Sequence, residues 1–328
     1  MTWRSVPKVE LHLHLEGAAP PRFIAALARE KSLDLSSIFD GEGGYLYRDF
    51  WHFLEVYETA CRALQTPEDF YRLTLEVMQE SASHGVVYTE TFVSPDFCGG
   101  RDIGAWREYL AAMQQASREG EARFGTTLRG IATCLRHLGP EPAIEVARCA
   151  AATAGDWLVG FGMAGDELQH APRDFVRAFD IARDAGLGIT VHAGEWGGAA
   201  SVRDALDALR PARIGHGVQA IDDAALVARL AEEGVVLECC PGSNVVLGVY
   251  ETWAAHPIDR LRQAGVPVTV STDDPPFFAI TMTSDYANLA ETFGWGQSDF
   301  QAVAKTAIEA AFCDAETRKK IIDRLEQP

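Results

Sequence analysis

The sequence predicts an α/β chain folded as a (β/α)8 TIM-type barrel, with a helical insertion after the first strand. Two observations carry this. Short apolar runs alternate with longer amphipathic patterns along the whole chain, and eight runs have strand length: 6–14, 87–93, 128–135, 158–164, 188–194, 212–216, 235–240 and 266–272. Repeated βα units imply a parallel sheet, and eight of them imply a closed barrel. An open doubly wound sheet is the competing architecture, but no glycine-rich phosphate loop follows any of these runs.

The first run, VPKVELHLHLEG, ends in His12 and His14, which project from the same face because strand side chains alternate. The connection that follows, residues 18–86, is too long for a simple βα loop and carries about three helical patterns, Asp49–Leu64 among them. Such an insertion suits a lid over the barrel mouth. The amphipathic segments Pro172–Ala185, Asp222–Glu233 and Ile258–Ala264 read as barrel-wall helices, and 281–328 as helices completing the outer ring. No low-complexity or linker-like stretch divides the chain, so residues 1–328 are expected to form one domain with a lid at about 18–86.

The formal net charge of −18 argues against nucleic acid or an anionic membrane as partner, since both need a basic face. A small neutral or cationic molecule fits better. Seven cysteines in apolar patterns, without paired spacing, suit buried thiols in a reducing cytoplasm. No signal-peptide pattern opens the chain, and no apolar run reaches the ~20 residues that span a bilayer.

In such barrels the reactive groups sit at the C-terminal ends of the strands. Those ends supply His12 and His14, then Gly165, Asp166 and Glu167 in GMAGDE, His192 and Glu195 in VHAGE, His216 in RIGHG, and Asp273 and Asp274 in STDD. His12, His14, His192 and Asp273 form a three-nitrogen, one-oxygen set suited to one Zn²⁺ with an open position. A second metal is disfavoured, because none of the five lysines lies near strand four to bridge two ions and strand six offers only His216. A single zinc lowers the pKa of water towards ~7. His216 is placed to orient that water or accept its proton, Asp273 to bind the metal and hydrogen-bond the same water, and Glu195 to act as a protonated acid. His52, His84, His137, His170 and His256 are read as surface or packing residues, and Cys239 and Cys240 as packing thiols.

The segments HLHLEG, GMAGDE, VHAGE, RIGHG, CPGSN and STDDP resemble the adenosine deaminase family of the amidohydrolase superfamily, in order and over nearly the whole chain. The resemblance implies that His12, His14, His192 and Asp273 bind zinc and that His14 also borders the substrate. It implies that Glu195 protonates purine N1 as water attacks C6, assisted by His216. It further implies that Asp274 hydrogen-bonds N7, that the Gly165 N–H meets N3, and that Phe50, Trp51, His52, Phe53 and Leu54 belong to an apolar lid helix. The expected reaction is deamination of a purine nucleoside, adenosine or 2′-deoxyadenosine, to the inosine product and ammonia. Glu16 departs from the pattern: the family usually has Asp there, against the ribose 5′-hydroxyl, and Glu looks more like related enzymes acting on free adenine. The alternative is therefore another 6-aminopurine, such as adenine or a modified adenosine.

Overall fold

The computed structural model describes residues 3–326, so the outermost residues of the expected 1–328 unit lie outside the described residues. Eight parallel strands run in sequence order around a barrel: β1 Lys8–His14, β2 Val86–Val93, β3 Thr127–Leu135, β4 Leu158–Ala164, β5 Gly188–Ala193, β6 Arg213–His216, β7 Val236–Cys239 and β8 Val268–Val270. Each falls within three residues of its predicted run. β2 and β7 are buried along their whole length, as expected for parallel strands covered on both faces.

The barrel closes between β1 and the segment after β8. There the His14 N–H donates to the Asp273 carbonyl and the Asp273 N–H to the His12 carbonyl, each at 3.0 Å. Side chains stitch the rest of this seam. Ser271 Oγ accepts from the N–H groups of Leu11 and His12 at 3.2 Å, and Glu10 Oε1 accepts from the Thr272 N–H at 2.9 Å and its hydroxyl at 2.6 Å. Closure therefore runs through the residues that carry the proposed chemistry.

The insertion holds α1 Pro21–Glu30, α2 Phe50–Cys61 and α3 Pro67–Ser83. Asp49 caps α2 by accepting from the His52 N–H, and Thr66 with Asp69 forms a capping box at α3. Only α2 reaches the mouth; α3 packs on β2 and on α4 (Ile103–Phe124), as a ring helix does. Helices α5 Pro140–Ala151, α6 Val176–Asp184, α7 Gly198–Leu209 and α8 Ala224–Glu233 follow β3 to β6. After β7 come α9 Pro241–Val246 and α10 Ile258–Gln263, and after β8 come α11 Pro275–Phe278, α12 Met282–Phe293, α13 Gln297–Ala310 and α14 Ala315–Leu325. α13 packs against both β1 and β8, so the C-terminal helices do complete the ring. Fully buried Phe161, Phe179 and Leu209 typify the wall, each contributing about 1.5–3 kcal/mol of burial. No described helix is long and apolar enough to cross a membrane.

The short helix α9 matters because it carries Ser243 and Asn244 into the mouth. Its start is braced from α12, where Asp285 Oδ2 accepts from the Gly242 N–H at 3.1 Å. The other oxygen of Asp285 is buried without a partner, and burial pushes the carboxyl up to about 8. A carboxyl whose pKa is raised on folding lends stability that is full below its unfolded value near 4 and disappears as pH climbs to about 8. Asp285→Asn keeps the acceptor and removes the titration. Thermal unfolding followed from pH 4 to pH 8 should show a shallower loss of stability in the variant than in the parent chain.

Candidate active site at the C-terminal mouth of the barrel

The strand ends bring the predicted metal set together. One ligand atom from each of His12, His14, His192 and Asp273 lies within 4.8 Å of the others. Asp273 Oδ1 is 3.4 Å from His12 Nε2 and 3.2 Å from His14 Nε2, and the Nε2 atoms of His14 and His192 are 3.3 Å apart. Such convergence of lone pairs is unfavourable unless a cation fills the centre, and His12 Nε2 is buried with no hydrogen-bond partner. The residues thus fit a bound metal. Burial pushes His14 and His192 below the ordinary histidine range, towards the neutral form that ligates. For His12, burial opposes the charge, but Asp273 and Glu238 outweigh it and raise the pKa to about 9. A cation at Nε2 competes with that proton.

Strain accompanies this geometry. His216 and Asp273 have φ of 57° and 68°, left-handed values uncommon outside glycine and typical of functional positions. Gly165, at φ 93°, ends β4 in a conformation that suits glycine.

Behind the ligands stand groups that sequence reading did not assign. Glu238 Oε2 bonds His12 Nδ1 at 2.9 Å, which puts the proton on Nδ1 and frees Nε2. Ser243 Oγ donates to Asp273 Oδ2 at 2.8 Å. Glu167 accepts from the N–H groups of Gly194, Glu195 (3.0 Å) and Trp196 (2.7 Å), fixing the turn that presents Glu195. Arg136 donates to the His192 carbonyl at 2.7 Å and the Glu167 carbonyl at 3.0 Å. The signal for these was present: charged residues inside apolar strand runs, as in VVLECC, have no place in a core without a partner.

A buried relay orients Glu195 and His216. The Ile258 N–H donates to His256 Nδ1 at 3.3 Å, so His256 Nε2 carries the proton and donates to Asn244 Oδ1 at 3.2 Å. That fixes the Asn244 amide with its nitrogen towards Glu195 Oε1 (3.4 Å) and His216 Nδ1 (3.3 Å). His216 Nδ1 is then the acceptor and Nε2 the N–H, 3.8 Å from Glu195 Oε2. Burial pushes His216 down to about 4, which favours the neutral imidazole, and pushes the Glu195 carboxyl well above the carboxylate range, towards its protonated form. His256, read from sequence among the surface or packing histidines, is buried at the back of the site.

The pocket in front of these groups is lined by Phe50, Phe53, Leu54 and Tyr57 of α2. Phe53 meets Phe277 and Phe278 at 5.3 and 5.2 Å between ring centroids, and Phe50 meets Trp196 at 5.1 Å. Of the predicted lid cluster, Trp51 and His52 do not line the pocket: Trp51 is 51% exposed, and the His52 ring accepts from the Arg48 N–H. Glu16 is buried; Oε1 accepts from the Ser94 N–H at 3.1 Å and Oε2 faces the Tyr57 hydroxyl at 3.5 Å. Asp274 has a buried Oδ1 without a partner, and burial and the neighbouring Asp273 push its carboxyl well up. His137, also read as a surface or packing residue, lines the pocket beside Gly165. Cys240 lies against His216 and Asp273, but burial raises its thiol well above the ordinary range, which leaves it a neutral packing group.

A barrel with a three-histidine, one-aspartate cluster at its mouth defines a metal-dependent amidohydrolase, and comparison narrows the class. The Adenosine deaminase family matches residues 7–328, and the chain belongs to that family. It is a metal-dependent hydrolase acting on the C–N bond of a cyclic amidine. An adenine deaminase of Rhizobium leguminosarum bv. trifolii (strain WSM2304) is 49% identical over 319 residues, 97% of this chain and 98% of that protein. The crystal structure of adenine deaminase from Arthrobacter aurescens superposes with a TM-score of 0.89 at 30% identity, covering 97% and 98% of the two chains. An amidohydrolase from Burkholderia ambifaria with bound zinc superposes at 0.85 with 27% identity, covering 99% and 93%. The names of these relatives side with the alternative that Glu16 raised rather than with a nucleoside.

Glu238→Gln leaves His12 in place but removes the carboxylate that sets its tautomer. Zinc affinity, read by competition with a chromophoric chelator, should fall by roughly 10–10²-fold while the fold is retained.

Proposed function

We propose that this protein deaminates the free base adenine to hypoxanthine and ammonia, with one zinc ion held by His12, His14, His192 and Asp273. The observation that carries the choice of free base is Glu16. Its carboxyl group is engaged with the Ser94 N–H and faces the Tyr57 hydroxyl, so it turns inward rather than offering itself to a sugar hydroxyl. The names of full-length relatives support the same reading.

The bound metal supplies a water activated near neutral pH. The chain does the rest. The protonated Glu195 carboxyl donates to N1, drawing electron density from C6 as the water oxygen adds there. Asn244 bonds Oε1 of Glu195, leaving Oε2 to carry the acid proton. His216, with its proton on Nε2, orients the attacking oxygen as a donor rather than removing its proton, and Asp273 is the acceptor. Asp274, protonated in its buried setting, donates to N7, and the Gly165 N–H meets N3. The proton that Asp273 accepted passes to the C6 amino group, which leaves as ammonia, and the proton of the added hydroxyl returns to Glu195 as the 6-oxopurine forms. Helix α2 with its aromatic face acts as the lid that excludes water, in one functional unit with the barrel.

Ammonia release and chromatography of adenine, adenosine, 2′-deoxyadenosine and AMP reactions test this directly. Adenine should turn over at least ~10²-fold faster in kcat/KM than any of the others; equal or better turnover of adenosine overturns the free-base assignment. Glu195→Gln should lower kcat on adenine by at least ~10², and a near-normal rate would remove Glu195 from the acid role.

A further inference from the structure

The edge of the pocket opposite the metal cluster holds a histidine whose bonding is incomplete. His137 follows β3, and its Nε2 lies 3.1 Å from Glu58 Oε1 on α2. A carboxylate can only accept, so Nε2 is the N–H and, in the neutral ring, Nδ1 is a bare lone pair. Nδ1 is buried and has no hydrogen-bond partner. A buried acceptor left unpaired is costly, and in a pocket wall it marks where a ligand donor belongs. Glycine at 165 allows this placement, because a Cβ there would come within 2.6 Å of Nδ1.

The sheet order says which ligand atom that donor is, on the orientation proposed above. With C6 at the metal cluster, Glu195 after β5 takes N1 and Asp274 after β8 takes N7. Going round the barrel from β5, the next strands are β4, ending at Gly165, and β3, leading to His137. Going round a purine from N1 away from C6, the next ring nitrogens are N3 and then N9, both bonded to C4. We infer that His137 Nδ1 accepts a hydrogen bond from the N9–H of the free base, making His137 a specificity residue and Glu58 the group that holds its tautomer. The inference rests on the free-base reading and deepens it. N9 bears this proton only when no sugar is attached, and an N9 substituent would both remove the donor and run into the Glu58–His137 pair that joins the lid helix to β3.

The test compares adenine with 9-methyladenine in the parent enzyme, His137→Ala and Glu58→Ala. His137→Ala should lower kcat/KM on adenine by roughly 10–10²-fold, mainly through KM, without a matching loss on 9-methyladenine, so that discrimination between them collapses. Glu58→Ala, at a half-exposed lid position, should move the ratio in the same direction by a smaller factor. Competitive inhibition by hypoxanthine and 9-methylhypoxanthine reads the same contact without turnover, and the preference for hypoxanthine should shrink in both variants. Equal losses on both substrates in His137→Ala, or an unchanged ratio while the parent still prefers adenine, would overturn the role of His137 alone. A parent enzyme that accepts 9-methyladenine or adenosine as readily as adenine would overturn the free-base reading itself.

Discussion

Glu238 sits at the midpoint of β7 with both oxygens committed. One bonds His12; the other accepts from Thr190 at 2.9 Å and from Arg213. Arg213 is fully buried, pairs also with Glu90 at 2.7 Å, and lies over the Phe312 ring at 3.6 Å. Burial opposes the charge on Glu238, but Arg213 and His12 outweigh it and hold the carboxyl below its ordinary range. Two carboxylates share one guanidinium, and the remaining negative charge is answered at His12. Removing one member of such a buried group costs about 3–5 kcal/mol, because the others are left without a partner. The interior of the barrel and its metal-ligating mouth are therefore one electrostatic unit.

That unit clarifies why the barrel closes where it does. β8 is only three residues long, and the last contacts across the seam are made by Asp273 and by the Ser271 and Thr272 side chains. A short final strand leaves Asp273 free to adopt its left-handed backbone and turn its carboxyl towards two histidines. The strain at Asp273 and His216 is sustained because both are held on several sides: Asp273 by the His12 and His14 backbone groups and Ser243, His216 by Asn244.

The fold was legible because parallel barrel strands are apolar runs of characteristic length, and eight of them admit few arrangements. Strand ends pointed to His12, His14, His192, Glu195, His216 and Asp273, and the fold brings these residues together at one mouth. Glu238, Asn244 and His256 were less readable for a physical reason. They act through hydrogen bonds between distant elements, and spacing along the chain carries no record of who faces whom. CPGSN was visible as a motif, but only the fold sets its Asn against a histidine twelve positions on and against two groups on other strands. His137 was misread because a histidine beyond a strand end looks the same whether it caps the surface or walls the pocket.

The sequence singles out Glu16, two residues beyond His14, as a position that bears on specificity. The proposed reading spreads that role over Glu16 and the His137–Glu58 pair. Glu16 is bonded inward to the Ser94 N–H after β2 and faces Tyr57 of α2. Tyr57 and Glu58 are adjacent on that helix, one facing Glu16 and the other paired with His137. Glu16 and His137 therefore face neighbouring positions of one helix. Under the free-base reading proposed above, the choice carried by Glu16 and the contact inferred for His137 both bear on the same stretch of α2.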